Sequence, residues 1–169
     1  MTKEEAIKSI EVGIEIAEQE IKKGVKLLGT GEMGIGNTTP TTAILAVLGE
    51  CNPEEITGVG ANLPKEKLEN KINVIKKAIK INKPNKNEPI DVLAKVGGLE
   101  IGGMAGVMLA GAANKTPVII DGYISTVAAL IAVAIEPKTK EYLICSHASK
   151  EKGASYASKL LGIKPFLNL

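Results

Sequence analysis

The sequence predicts an α/β fold: an open, mostly parallel sheet with helices on both faces, in a Rossmann-like three-layer arrangement. Three observations predict it. Apolar runs of four or five residues alternate with helical stretches of ten or more, the rhythm of βαβ units in a covered parallel sheet. Glycine and polar residues cluster after Leu28, Ile56, Ile120 and Cys145, each read as the C-terminal end of a strand. No fixed-period repeat or low-complexity linker divides the 169 residues, 44% of them hydrophobic, so a single domain over 1–169 is expected.

Taken in order, Lys3–Lys23 reads as a helix. Ile7, Ile10, Ile14, Ile16, Ala17 and Ile21 recur near the helical period, with Glu and Lys between them. Thr2 ahead of Glu4 and Glu5 suits an N-cap, and Gly24 suits the C′ stop. Val25–Leu28 reads as a buried strand. It runs into a glycine-rich loop from Gly29 to Pro40, and a helix over Thr41–Leu48 has Pro40 in its first turn. Ile56–Gly60 reads as a second apolar-to-glycine junction. Lys65–Ile81 is amphipathic, with Leu68, Ile72, Ile75 and Ile79 against lysines. After a polar loop at Asn82–Glu88, Asp91–Lys95 reads as helical and stops at Gly97-Gly98. Ile101–Ala113 is a helix of small residues, suited to close packing on another helix or a partner subunit. Thr116–Ile120 reads as a strand ending at Asp121-Gly122, Ser125–Ile135 as a helix, Tyr142–Cys145 as a strand and Lys150–Leu161 as a helix.

Composition narrows the chemistry. The net charge is only +2, so no concentrated basic excess points to nucleic acid. All 21 basic residues are Lys; with no Arg, a phosphate site must use Lys, hydroxyls and backbone N–H groups. Aromatics are 2% of the chain, too few for base-stacking platforms. Cys51 and Cys145 have no CxxC spacing, and one His (His147) cannot build a His-based metal site. The most apolar stretch, Val127–Ile135, is too short to span a bilayer, and no secretory leader opens the chain; a cytoplasmic protein with no membrane contact is expected.

In open α/β sheets, ligands bind outside the carboxyl ends of the strands. The first loop has glycines, the acid Glu32 and three hydroxyls ahead of a helix, which suits an anion such as phosphate. Gly29-x-Gly31-x-x-Gly34 formally fits a dinucleotide fingerprint, but no helix opens at the third glycine and no ribose acid follows a second strand. Glu32 among phosphate-binding glycines would repel the phosphate, so it should serve a cation or accept a proton. Asp121 reads either as a ligand group or as the N-cap of the next helix. Lys71 lies where a cation could reach a phosphate. Ser146, His147 and Ser149 stand at the last strand end, and His147 reads as an ordinary loop residue.

Five segments in order carry a family resemblance: GEMGIGNTT (Gly31–Thr39), DVLAKVGGLEI (Asp91–Ile101), GMAGVMLAGA (Gly103–Ala112), DGYIS (Asp121–Ser125) and SHASKEKGA (Ser146–Ala154). Together they resemble nicotinate-nucleotide–dimethylbenzimidazole phosphoribosyltransferases, over essentially the whole chain. The resemblance implies phosphoribosyl transfer from nicotinate mononucleotide to 5,6-dimethylbenzimidazole, with inversion at the anomeric carbon. It implies α-ribazole 5′-phosphate and nicotinate as products, no cofactor and no metal. It assigns Glu32 to the reacting ribose as the catalytic carboxylate. It assigns Gly34, Gly60, Lys71, Gly122 and Ser149 to the mononucleotide and its phosphate, and Asp121 to the carboxylate beside that phosphate. The segment TGVGANL (Thr57–Leu63) departs from the family's more glycine- and threonine-rich run, which touches the contacts near Ala61. A homodimer is expected from the family. So is a core unit without the family's N-terminal and C-terminal segments: Leu169 precedes the stretch holding the family's main catalytic glutamate, so little turnover is expected from this chain alone. The alternative reading of the same loops is a non-catalytic mononucleotide- or phosphate-binding α/β module.

Overall fold

A computed structural model describes residues 1–60 and 63–168. Its centre is a three-stranded parallel sheet in the order β1 (Leu28–Thr30), β2 (Val118–Ile120), β3 (Leu143–Cys145). The register pairs Leu28 with Val118 and Val118 with Leu143, so all three C-terminal ends share one edge. This is the open parallel α/β sheet that the sequence predicts. Thr30, Val118, Ile120, Leu143 and Cys145 are buried on one face, while Gly29, Ile119 and Ile144 on the other are exposed to half-buried. The buried face meets α6 (Leu99–Ala113) at Gly111 and α7 (Tyr123–Ile135) at Ser125, whose Oγ lies 2.6 Å from Thr30 Oγ1.

The first strand lies three residues further on than the sequence suggests, and helix capping is the reason. Helix α1 (Lys3–Lys22) opens with a reciprocal box between Thr2 and Glu5. It closes with Gly24 at φ +101, the Gly24 N–H on Ile21 O (2.9 Å) and the Val25 N–H on Glu20 O (3.2 Å). Val25 is thereby the last residue of a Schellman cap and cannot start a strand. Pairing begins only where the Leu28 N–H reaches Pro117 O at 3.0 Å.

The second junction is likewise corrected. Ile56 ends a single helical turn, α3 (Pro53–Ile56), capped by Asn52 Oδ1 on the Glu54 N–H at 3.1 Å and with Pro53 at its first position. The glycine loop that follows therefore reaches the site from a helix rather than from a strand. Helix α2 runs Thr38–Leu48, starting three residues earlier than expected. Pro40 falls in its first turn, where no intrahelical donor is required. Helix α4 is Leu68–Asn82 after a 3-10 turn at Lys65–Lys67, and α5 is Pro89–Val96. A 3-10 stretch at Pro137–Tyr142, unforeseen in the sequence, leads into β3, and α8 is shortened to Ala154–Leu161.

Close helix packing occurs within the chain, between α1 and α6. A Cβ on Gly13 would overlap Gly103 O, and one on Gly106 would overlap Ile10 O, so the two backbones touch where side chains would otherwise stand. Helix α7 is buried all round, with Val127, Ala128, Ala129, Ile131 and Ala132 at 0% exposure, and it forms the centre of the core. Cys51 and Cys145 are both free thiols. Among the described residues no helix is long and apolar enough to cross a membrane, and no cluster of His, Cys, Asp and Glu could hold a metal ion.

Candidate functional site

The loops after β1, β2 and β3 and the loop after α3 meet at the C-terminal edge of the sheet. Glu32, Gly34, Gly60, Asp121, Gly122 and Ser149 line one cavity there of about 300 Å³, together with Thr38, Tyr123, His147 and Glu151. Lys71 lines an adjoining cavity of about 490 Å³, and Gly34 and Thr38 form walls of both. Every residue singled out from the sequence is therefore at this edge. Ala61 and Asn62, where the second loop departs from the family pattern, lie outside the described residues.

In the first loop Gly34 and Gly36 take φ +74 and +81, a left-handed backbone that glycine adopts without strain. The turn brings the Glu32 carboxylate back onto the loop: Glu32 Oε2 accepts from the Gly34 N–H and from Asn37 Nδ2 (2.9 Å). The Gly34 amide is thus engaged by Glu32, and a phosphate reaches it only by displacing that carboxylate. Asn37, at the N-cap of α2, makes no capping bond and serves to hold Glu32.

Lys71 projects from α4 and is only 7% exposed. Its ammonium donates to Thr38 Oγ1 at 2.8 Å and to Gly58 O at 2.9 Å. Both acceptors are neutral, and one of the three ammonium donors has no protein acceptor among the described residues. Burial pushes the Lys71 pKa below the usual lysine value, while the charge of Glu151 acts in the opposite direction. Gly60, at φ +61, lies against this ammonium. A Cβ there would stand 2.7 Å from Thr38 Oγ1 and 3.4 Å from Lys71 Nζ. Both the backbone conformation and the space require glycine at this position.

Asp121 follows β2 directly. It does not cap α7: the N-cap is Gly122, with no side-chain bond, so the capping alternative fails and the carboxylate lies at the cavity wall. The register that pairs Ile120 with Cys145 sets Asp121 beside Ser146, whose hydroxyl donates to Asp121 O at 3.1 Å. His147 Nδ1 lies 2.9 Å from Ser146 Oγ and 3.8 Å from Asp121 Oδ1. His147, read from the sequence as an ordinary loop residue, is thus part of the cavity wall. Thr38, Asn37 and Glu151 also escape a reading of the sequence. The cavity presents three carboxylates (Glu32, Asp121, Glu151), with the Lys71 ammonium beside it. It can therefore hold an anion on its lysine and glycine side and face cationic charge with its carboxylates.

Known proteins share this architecture. A family model described as Phosphoribosyltransferase matches residues 1–169. The nicotinate-nucleotide–dimethylbenzimidazole phosphoribosyltransferase of Alkaliphilus metalliredigens is 64% identical over all of the chain and 48% of that relative's length. The enzyme of the same name from Clostridioides difficile is 57% identical over all of the chain and 49% of its own length. The crystal structure of CobT from Thermus thermophilus superposes with a TM-score of 0.94 at 35% identity, covering 100% of this chain and 50% of that one. The chain spans about half the length of the curated relatives it matches.

Proposed function

The chain belongs to the phosphoribosyltransferase family, and from that premise we propose that it is the mononucleotide-binding α/β core of an enzyme moving phosphoribosyl from nicotinate mononucleotide to 5,6-dimethylbenzimidazole. One observation carries the reading: a buried ammonium with only neutral partners, beside an obligatory glycine, opens next to a carboxylate-lined cavity. Lys71 and the backbone around Gly60 and Gly122 hold the 5′-phosphate, with Ser149 at its edge. Gly34 joins them once Glu32 turns from the loop toward the ribose. The anomeric C–N bond to the pyridinium breaks and its electron pair goes to nicotinate, which leaves neutral at the ring nitrogen without a general acid. The unprotonated ring nitrogen of the benzimidazole forms the new C–N bond on the opposite face, and the other ring nitrogen loses its proton to a carboxylate base. Glu32 and Asp121 offset the positive charge that grows on the ribose. The same reading takes the protein as a single core unit of a cytoplasmic homodimer, needing no metal or cofactor.

The test is formation of α-ribazole 5′-phosphate, followed by chromatography in protein of the relatives' full length. Glu32→Gln keeps the shape of the side chain and removes its charge. Mononucleotide binding should change little, while turnover falls by two orders of magnitude or more, roughly 3 kcal/mol of lost transition-state stabilisation. Full turnover in Glu32→Gln would remove Glu32 from the chemistry. Mononucleotide binding with no product in the unmutated protein would favour a non-catalytic binding module.

A further inference from the structure

We propose that His147 is a second phosphate ligand of the site, one that loads a proton as the phosphoryl group arrives and joins Lys71 as its cationic partner. The inference rests on the mononucleotide reading above.

The backbone fixes the ring. The segment after β3 is clamped from outside by Leu167, whose N–H donates to Ser146 O at 2.9 Å and whose carbonyl accepts from the Ala148 N–H at 2.8 Å. Within that clamp Ser146 Oγ, which donates to Asp121 O at 3.1 Å, lies 2.9 Å from His147 Nδ1. In the tautomer in which Nδ1 donates that contact, the bare nitrogen of the neutral ring is Nε2. That atom stands 3.8 Å from where a Cβ on Gly122 would be, so the missing side chain at 122 opens the space in front of it. Gly60 does the same for Lys71. Each of the two glycines thus uncovers one basic nitrogen.

Charge supplies the reason for a proton. The titratable groups that line the same cavity as His147 are Asp121 at the end of β2, Glu32 from the loop after β1, Glu151 from its own loop and Tyr123 at the start of α7. Three of these are carboxylates, and His147 is the only basic side chain among the described residues of that wall. A phosphate dianion entering such a cavity meets net repulsion unless a positive charge appears with it. Protonation of Nε2 provides that charge and converts a bare lone pair into a donor, while Asp121 Oδ1, 3.8 Å from Nδ1, stabilises the imidazolium.

The chain has one histidine, so a single imidazole Cε1–H resonance reports this residue without assignment. The experiment follows that resonance against pH in the unmutated chain, free and saturated with nicotinate mononucleotide, with inorganic phosphate, or with nicotinate riboside, which lacks the phosphate. Calorimetry records the affinity for the mononucleotide at each pH. The mononucleotide and inorganic phosphate should each raise the titration midpoint by about one unit or more, and the riboside should not. A raised pKa in the complex means that binding of the dianion weakens about tenfold as pH rises from the free-ring midpoint through the midpoint of the complex. His147→Asn keeps a donor toward Ser146 and loses Nε2. It should bind the mononucleotide about ten- to a hundredfold more weakly at acid pH and lose this part of the pH slope. A mononucleotide that binds without moving the midpoint overturns the role of His147 and leaves the proposed function standing. An equal shift with the riboside overturns the phosphate assignment. A chain that binds neither mononucleotide nor phosphate overturns the mononucleotide reading and this inference together.

Discussion

Substituting alanine for two neighbouring glycines of α6 should move stability in opposite directions. In a helix interior, Gly→Ala alone stabilises by about 0.5–1 kcal/mol, because alanine loses less backbone entropy. At Gly103 nothing opposes this: the nearest atom to a new Cβ is Ser9 O at 3.9 Å, an ordinary contact. At Gly106 the new methyl would stand 2.9 Å from the carbonyl carbon of Ile10 and 3.0 Å from Ile14 N, and nearer still to Ile10 O. These are backbone atoms that no rotamer change can move. Carbon contacts are favourable at about 3.5–4.0 Å, so α1 and α6 must part by roughly 1 Å, which forfeits up to about half of each dispersion contact they share. Overpacking of this kind costs about 1–3 kcal/mol, and with backbone on both sides the upper figure applies. Less the propensity gain, Gly106→Ala should lose about 2 kcal/mol, and Gly103→Ala should gain about 0.5–1 kcal/mol. Urea unfolding followed by circular dichroism measures both. At a slope of about 2 kcal/mol per molar, the midpoints should move by roughly 1 M down and 0.3–0.5 M up. Equal shifts in the two variants, or a stabilised Gly106→Ala, would refute the account of the α1–α6 contact.

Two pH effects follow from buried charges. Burial holds the Lys71 pKa below its unfolded value, so between those two values the unfolded chain binds more protons and stability rises with pH; Lys71→Met should abolish that alkaline rise in thermal melts. Asp91, only 5% exposed, accepts from the Asn85 N–H at 2.9 Å and pairs with Lys95 at 2.9 Å, and these contacts lower its pKa. Its stabilisation is complete above the unfolded value of about 4 and is lost as pH falls through the folded value. The melting temperature of Asp91→Asn should thus lie below that of the unmutated chain near pH 6, and the gap should close on acidification. A gap that persists in strong acid would assign the effect to packing instead.

Much of this architecture is written locally. The Thr2–Glu5 box and Gly24 bound α1 on the sequence alone, because caps are chosen by short-range hydrogen bonding. The first strand is displaced for the same kind of reason: Val25–Leu28 is apolar, yet Val25 is used by the cap. The residues that pair, Leu28-Gly29-Thr30, have at their centre a glycine, which disfavours a strand, and are held by β2. Asn52-Pro53 signals a helix start ahead of Ile56, but the apolar-to-glycine rhythm masks it. At the site, the glycines, Glu32 and Asp121 are legible because their chemistry is unusual for their loops, whereas Lys71, one of many lysines on and around α4, is singled out only by the family resemblance. The pairing of His147 with Asp121 is not, since 26 positions separate them and only the β2–β3 register brings them together. The role of Asn37 as the clamp on Glu32 depends on the left-handed turn at Gly34, a tertiary detail of the loop.

The central claim is that Lys71 and its neighbouring glycines form a phosphate seat for a nicotinate mononucleotide. Titration calorimetry of this chain with nicotinate mononucleotide and with nicotinate riboside, repeated on Lys71→Met, tests it most directly. The mononucleotide should bind with one site per chain and much more tightly than the riboside. Lys71→Met should lower that affinity by about one to two orders of magnitude, the roughly 1.5–3 kcal/mol of a charge-assisted contact, and leave the riboside unaffected. Equal affinities for mononucleotide and riboside, or an unchanged mononucleotide affinity in Lys71→Met, would contradict it.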